Sequence, residues 1–307
     1  MIIGIGGMQR FRDILTNLRF RAMSRVRSAL RRDLSYEIAP GHVITLPPEH
    51  MLPLYQTVHP FYDRYFLDFF RALSDADPAF AFVDVGANVG DTAVAVKSVA
   101  AKSRIVCVEG SDFFLHYLKR NVAALDDVEI IDSFVSAGKE GGLEYIHFNG
   151  TGRLIEAPSA PAVDTAKFVT VGTVLEKVGG SSLVVWKSDT DGHDVGILLG
   201  GFDEIVSHAE VIWFELMLLE PFHPDPLELV ALFKRLSELD RDVILVDNFG
   251  RVMLRIAASE SPTVIADLER WLRLQRASGT ISIDYFDIWV MPAPWADRFI
   301  ASLPPMK

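Results

Sequence analysis

The chain has one cysteine in 307 residues, Cys107. A lone cysteine excludes an internal disulfide and any metal cage built from cysteines alone. Its place in the apolar run Ile105-Val106-Cys107-Val108 marks it as a small core residue. Long hydrophobic runs are missing too, since no stretch approaches the roughly 20 apolar residues that a membrane span needs. The opening Met1-Ile2-Ile3 is too short for a signal-peptide core and has no basic residue before it, so a cytoplasmic location is expected. Basic charge is scarce beyond the start. Residues 1–33 hold eight arginines against Asp13 and Asp33, a net of +6, while the whole chain is −11, leaving −17 for the remainder. An acidic body is a poor match for a surface that grips nucleic acid, where phosphate neutralisation dominates affinity, and no nucleic-acid partner is expected. Internal repeats and low-complexity tracts are absent.

What is present is ordinary globular composition, 50% hydrophobic and 23% charged, in a length suited to one large α/β domain with appendages or two small domains. In the arginine-rich start, Phe11, Ile14, Leu15, Leu18, Ala22, Val26 and Leu30 recur at helical spacing. Residues 8–33 therefore read either as a helix on an anionic membrane surface or a partner, or as one packed on its own acidic body. Prolines 47, 48, 53 and 60 break up the next segment, and an aromatic run from Phe61 to Phe70 reads as a helix that caps the catalytic domain. From residue 80 strands alternate with helices, which implies a mostly parallel sheet with helices on both faces. Seven strands are expected: Phe80–Val85, Arg104–Val108, Val128–Ile131, Leu183–Lys187, Val211–Glu215, Val243–Val246 and Ile283–Met291. The Gly-, Pro- and Ala-rich interval 138–165 reads as a long loop or hairpin excursion. The expected division is an N-terminal basic helix and cap over 1–75 and a ligand-binding domain over 76–307.

The sharpest motif is Asp84-Val85-Gly86-Ala87-Asn88-Val89-Gly90-Asp91, a strand ending in an acid, a glycine turn and an immediate helix. Gly86 lets the backbone approach a ligand, and Gly90 clears space where the helix starts. Glu109, about nineteen residues on at the end of the next strand, is placed to accept both hydroxyls of a ribose. This unit binds an adenosine-containing ligand. A dinucleotide fingerprint would want glycine at 88 and 91, where Asn88 and Asp91 stand, and a pyrophosphate would be repelled by Asp84 and Asp91. S-adenosylmethionine carries an ammonium and a sulfonium, so the acids favour it. Ser111 and Asp132, after the second and third strands, are candidates to border the adenosine.

A second cluster follows the strand at 183–187: Lys187, Asp189, Asp191, His193 and Asp194. Ionisable groups this dense after an apolar strand are costly unless paired or functional. Asp189 is the candidate facing sulfonium and acceptor, Lys187 a partner for it, and His193 a candidate general base or merely an exposed loop residue. Asp194 is a candidate helix cap or substrate contact, and Asp191 a substrate contact or a turn residue. Glu215, ending the strand after that, either positions substrate or pairs with Lys187. The histidines lack metal-ligand spacing, although the acids are candidates for a hard cation such as Mg²⁺.

With Glu109, Asn121, Lys187-Ser188-Asp189-Thr190-Asp191-Gly192, Gly200 and Glu215, the glycine loop resembles the FkbM family of methyltransferases over about 80–250. Upstream, His50-Met51-Leu52-Pro53 and Tyr62-Asp63-Arg64 resemble a subset with an N-terminal extension. The resemblance implies a class I methyltransferase (Rossmann-like) fold and O-methylation of hydroxyls on sugars, polysaccharides or polyketides. It departs where Asp191 and Asp194 replace the family's usual glutamates and His193 is added. It implies S-adenosylmethionine as cofactor and in-line transfer to a hydroxyl oxygen, with Asp189 or His193 taking the proton. Two other classes remain open: an NAD-dependent oxidoreductase, and a non-catalytic glycan- or membrane-binding protein on the same fold.

Overall fold

The computed structural model describes residues 18–30, 32–138, 143–148, 150–156, 163–219, 221, 223–280, 283 and 285–303. Helix α1 covers 18–29. A hairpin of β1 (Leu34–Ala39) and β2 (His42–Leu46) turns at Pro40-Gly41, and α2 (Leu52–Val58) and α3 (Leu67–Ala76) complete the segment before the first sheet strand. Then come β3 (Ala81–Val85), α4 (Asp91–Val99), β4 (Arg104–Glu109), α5 (Asp112–Val122) and β5 (Val128–Asp132). An excursion carries β6 (Phe134–Val135), the antiparallel pair β7 (Leu143–Phe148) and β8 (Thr151–Glu156), and β9 (Phe168–Val169). The chain returns through α6 (Val171–Leu175) to β10 (Val184–Ser188), α7 (Asp194–Gly200), α8 (Phe202–His208), β11 (Val211–Leu216), α9 (Pro226–Leu236) and β12 (Asp242–Asp247). It ends with β13 (Val252–Ala257), α10 (Ser261–Ala277), β14 (Phe286–Met291) and α11 (Ala293–Ser302).

The main sheet has eight strands in the order β13-β12-β14-β11-β10-β3-β4-β5. Strands β5, β4, β3, β10 and β11 run parallel. β14 lies antiparallel between β11 and β12. This is the Rossmann-like class I methyltransferase architecture, with the chain stepping outward from β3 first to β4 and then to β10, so that a switch point opens beside β3. The extra strand is β13. Its pattern is half-exposed and interrupted by Arg255, as befits an edge strand with one wet face, and so it is easily overlooked. The turn at Asp247–Gly250 leads into β13, whereas the last strand returns from α10 to insert inside the sheet.

Two cores cover the two faces of this sheet. One gathers the apolar sides of α3, α4, α5, α11 and the β1–β2 hairpin, and the other those of α6 to α10. Strands β3, β10 and β11 are buried throughout, which explains their unbroken apolar runs. The capping segment is rooted in the first core: Phe66, Phe69, Phe70 and Leu73 are fully buried. Trp213 stacks on Trp289 at 4.4 Å, and Tyr65 and Phe69 meet Trp289 edge-on. Contacts of this kind add to what burial alone supplies. Asn121 ties the hairpin to the glycine loop, its side chain bonding both ways to the Thr45 backbone and donating to Val89 O at 2.8 Å. Among the described residues no helix is long and apolar enough to cross a membrane.

Candidate functional site

A cavity of about 480 Å³ opens over the carboxyl ends of β3, β4, β10, β11 and β12. Because β14 is antiparallel, its first residues reach the same edge, and Asp287 lies opposite Glu215 in the register. The cap supplies a wall from His50, Tyr55, His59, Tyr62 and Asp63, and the β7–β8 hairpin supplies another from Tyr145 and Gly150–Leu154.

The glycine loop is shaped by its backbone. Gly86 sits at φ +80°, and a Cβ there would lie 1.9 Å from the Asp189 carbonyl oxygen. The loops after β3 and β10 therefore touch, which only glycine permits. Asn88 follows at φ +48°. Its N–H donates to Glu109 Oε2 at 2.9 Å, and Ser111 N–H donates to Oε1 at 2.8 Å. A carboxylate has about four acceptor sites, so Glu109 is clamped and still able to accept from a ligand. Burial pushes its pKa up to about 7.

Beneath the floor lies a buried ion pair. Lys187 Nζ donates to Asp84 Oδ1 at 2.9 Å and stands 3.1 Å from Asp189 Oδ2. It also lies 5.3 Å from the centre of the Trp213 ring. Asp84 is fully buried, and burial raises its pKa against the lowering effect of Lys187. Among the two readings of Glu215, pairing with Lys187 is not found. Glu215 is 8% exposed, and its Oε2 has no hydrogen-bond partner. Burial, then Asp189, Asp191, Asp194 and Asp287, push its pKa well up.

The residues singled out in the sequence fall into two groups. Gly86, Asn88, Glu109, Lys187, Asp189, Asp191, His193 and Glu215 line the cavity. The other five stand behind it. Asp84 holds Lys187. Gly90 is packed against α5, where a Cβ would meet Leu118 Cδ1 at 2.7 Å. Ser111 is buried behind Glu109. Asp132 is half-exposed and faces Lys119 and Lys167 at 3.4 and 3.8 Å, while the neighbouring Ser133 and Phe134 reach the cavity instead. Asp194 points back into its own loop, accepting from Ser188 Oγ at 2.6 Å and Thr190 N at 3.1 Å. It thereby sets the turn that presents Asp189 and Asp191.

Asp191 sits at φ +54° and accepts from Thr151 Oγ1 of the hairpin. Burial, followed by the charge of Asp189, raises its pKa to about 7. His193 Nε2 lies 2.9 Å from the Leu154 carbonyl oxygen. A carbonyl only accepts, so Nε2 carries the proton and Nδ1 holds the basic lone pair.

Sequence reasoning missed Asp63, Asp287 and the tyrosines. Asp287 accepts from Tyr65 Oη at 2.8 Å, and Tyr65 accepts from Trp289 Nε1 at 2.9 Å. Burial and Asp189 raise its pKa to about 7. Tyr285 Oη and Tyr62 Oη meet at 3.1 Å. The backbone, though not the sequence, marks one of these missed residues. Among the described residues only four non-glycines have positive φ, and Asp63, Asn88 and Asp191 of these line the cavity. Asp and Asn tolerate that conformation, and such strain concentrates at functional sites. No three His, Cys, Asp or Glu side chains among the described residues converge as metal ligands.

No family model and no curated protein matches the chain, so the FkbM resemblance rests on the residues quoted for it. Solved structures give distant likenesses. The Bacillus cereus O-methyltransferase in complex with SAH is 11% identical, with 78% of this chain and 88% of that one covered at a TM-score of 0.39. The plantazolicin methyltransferase BpumL in complex with SAH is 8% identical over 79% and 88%, also at 0.39. An rRNA methylase from Streptococcus thermophilus is 10% identical over 73% and 92%, at 0.37. At these scores the likenesses do not bear on what this chain binds.

Proposed function

We propose that the chain is an S-adenosylmethionine-dependent methyltransferase directed at a hydroxyl oxygen, in line with its FkbM resemblance, and that the hydroxyl belongs to a sugar in a glycan or its precursor. One observation carries this reading: the glycine turn at Gly86 and the clamped carboxylate of Glu109 open on a cavity lined by seven carboxyl groups against two basic side chains, Lys187 and Arg153. Such a lining repels a pyrophosphate and suits an adenosine cofactor bearing an ammonium and a sulfonium. The residues present fit that group. Glu109 has acceptor capacity left for ribose hydroxyls, and the buried Oδ1 of Asn88 has no hydrogen-bond partner.

When bound, the cofactor supplies a methyl group already activated as a sulfonium. The protein's own task is then alignment, which is worth roughly 7–11 kcal/mol of barrier when two reactants are held in reacting geometry. Lys187, fixed by Asp84, holds Asp189 at the cavity floor, where it orients the acceptor. His193, with Nε2–H committed to Leu154, has Nδ1 available to take the hydroxyl proton, a role worth about 10²–10⁴-fold. The cap and the β7–β8 hairpin wall the cavity on two sides.

We further propose that the enzyme works at a membrane surface. Helix α1 docks through Ser24 and Arg27 onto the Pro48 carbonyl oxygen. Leu18, Met23, Val26 and Leu30 are left exposed beside Arg19, Arg21 and Arg25, the pattern of a helix lying on anionic lipid.

Calorimetric titration with S-adenosylmethionine, alongside NAD and a Glu109→Gln variant, tests the cofactor. Saturable binding of S-adenosylmethionine alone, weakened in the variant, is expected. Preference for NAD, or no binding of either, would overturn the assignment.

A further inference from the structure

The carboxyl groups of the cavity are not spread evenly. Glu109 and Gly86 mark the cofactor side at β4 and β3. Glu215 and Asp287 lie on β11 and β14, two and three strands from β3, or about 10 and 14 Å along the sheet at normal strand spacing. Asp63 of the cap lines the cavity between the two ends, in the field first of Asp91 and then of Asp287, Asp189 and Lys187. Beside these acids stands an aromatic wall of Tyr62 and Tyr285, with Tyr55 and Tyr62 ring centres 5.1 Å apart, whereas the rings of Trp213 and Phe249 already carry Lys187 and Arg251. Among the described residues that line the cavity, the one lysine, Lys187, is committed to Asp84 and Asp189.

Glu215 makes this more than a cluster of acids. It is over nine-tenths buried, it lines the cavity, and its Oε2 has no partner. A buried acceptor left unpaired costs free energy unless a ligand supplies the donor. The net single positive charge of S-adenosylmethionine does not account for acids two and three strands beyond its loop.

We infer that the acceptor presents a protonated amine beside its reacting hydroxyl, as an amino sugar or amino alcohol does, and that Glu215, Asp287 and Asp63 receive that ammonium within the aromatic wall. Carboxylates supply charge-assisted acceptors, and ring faces supply cation–π attraction. This rests on the methyltransferase reading and narrows its acceptor. Burial and the neighbouring carboxylates push the pKa values of Glu215 and Asp63 well up. An arriving cation reverses both effects, so binding releases protons.

The test is calorimetric titration of the full chain with glucosamine and with glucose near neutral pH, each with and without saturating SAH, in phosphate and in HEPES. Glucosamine is expected to bind about tenfold or more tightly than glucose, with an enthalpy that differs between the two buffers. Glu215→Gln and Asp63→Asn keep shape and tolerate the local backbone, and are expected to bring the ratio close to one while SAH affinity is unchanged. Equal or preferred binding of glucose would overturn the inference, as would SAH binding without saturable glucosamine binding. Failure of SAH itself to bind would strike the methyltransferase reading instead, and is read separately.

Discussion

Replacing Lys187 by methionine keeps most of the side chain's bulk and removes its charge. In the native protein Nζ lies 2.9 Å from Asp84 Oδ1, and Asp84 is fully buried with Oδ2 already lacking a partner. Lys187→Met therefore strands a carboxylate in the core. Breaking a buried pair from one side costs about 3–5 kcal/mol, and at roughly 2 °C per kcal/mol for a chain of this length the melting temperature should fall by about 6–10 °C. The pH dependence identifies the cause. Burial raises the folded-state pKa of Asp84, and without Lys187 nothing opposes that shift. The folded variant then keeps a proton that the unfolded chain has lost, so its stability falls as pH rises from the ordinary aspartate range toward the raised value. The deficit against the parent should be small in acid and full at neutral pH. Adding Asp84→Asn removes the stranded charge, so the double variant should be more stable than Lys187→Met alone. Denaturant unfolding of the parent, Lys187→Met and the double variant over a pH series measures this. A deficit that is independent of pH, or a double variant no better than the single, would refute the buried-pair account.

Gly86→Ala forces a side chain into left-handed backbone, at about 1–2 kcal/mol, and drives its Cβ against the Asp189 carbonyl; thermal melts should show the loss and calorimetry should show weakened cofactor binding, whereas unchanged binding would mean that the two loops do not shape that site. Glu109 titrates at about 7, so SAH affinity should rise as pH increases through that value. Glu109→Gln should flatten the profile and weaken binding about 10–100-fold, from the roughly 1.5–3 kcal/mol of a hydrogen bond to a charged group. His193→Asn should lower turnover about 10²–10⁴-fold with SAH affinity intact, and an unaffected rate would remove it as the base. The full chain should sediment with anionic vesicles and not with neutral ones, and deleting residues 1–33 should abolish that sedimentation; unchanged sedimentation would locate any lipid contact elsewhere.

How far the sequence foretold this arrangement depended on whether a residue's partners were close in the chain. The strands β3, β4, β10 and β11 were legible because each is a buried apolar run ending in a polar residue, and the glycine loop because Gly86 and Gly90 punctuate a strand-to-helix turn. What a loop residue faces was not legible. Asp84 and Asp189 both looked like ligand contacts, yet the register of β3 against β10 puts Lys187 beside Asp84 and leaves Asp189 at the cavity. Asp194 read as a helix cap or a substrate contact, but at the start of the seven-residue α7 it accepts from the Ser188 hydroxyl and the Thr190 N–H and so holds the loop itself. Asp287 was invisible for a different reason. It sits at the start of its strand, where no motif ends, and becomes part of the site only because β14 runs antiparallel and delivers its first residues to the edge where its neighbours deliver their last. Of the seven acids that line this cavity, five stand at or just past the ends of strands, while Asp63 comes from the cap and Asp287 from a strand of the opposite direction, and a reading that looks only past strand ends misses those two.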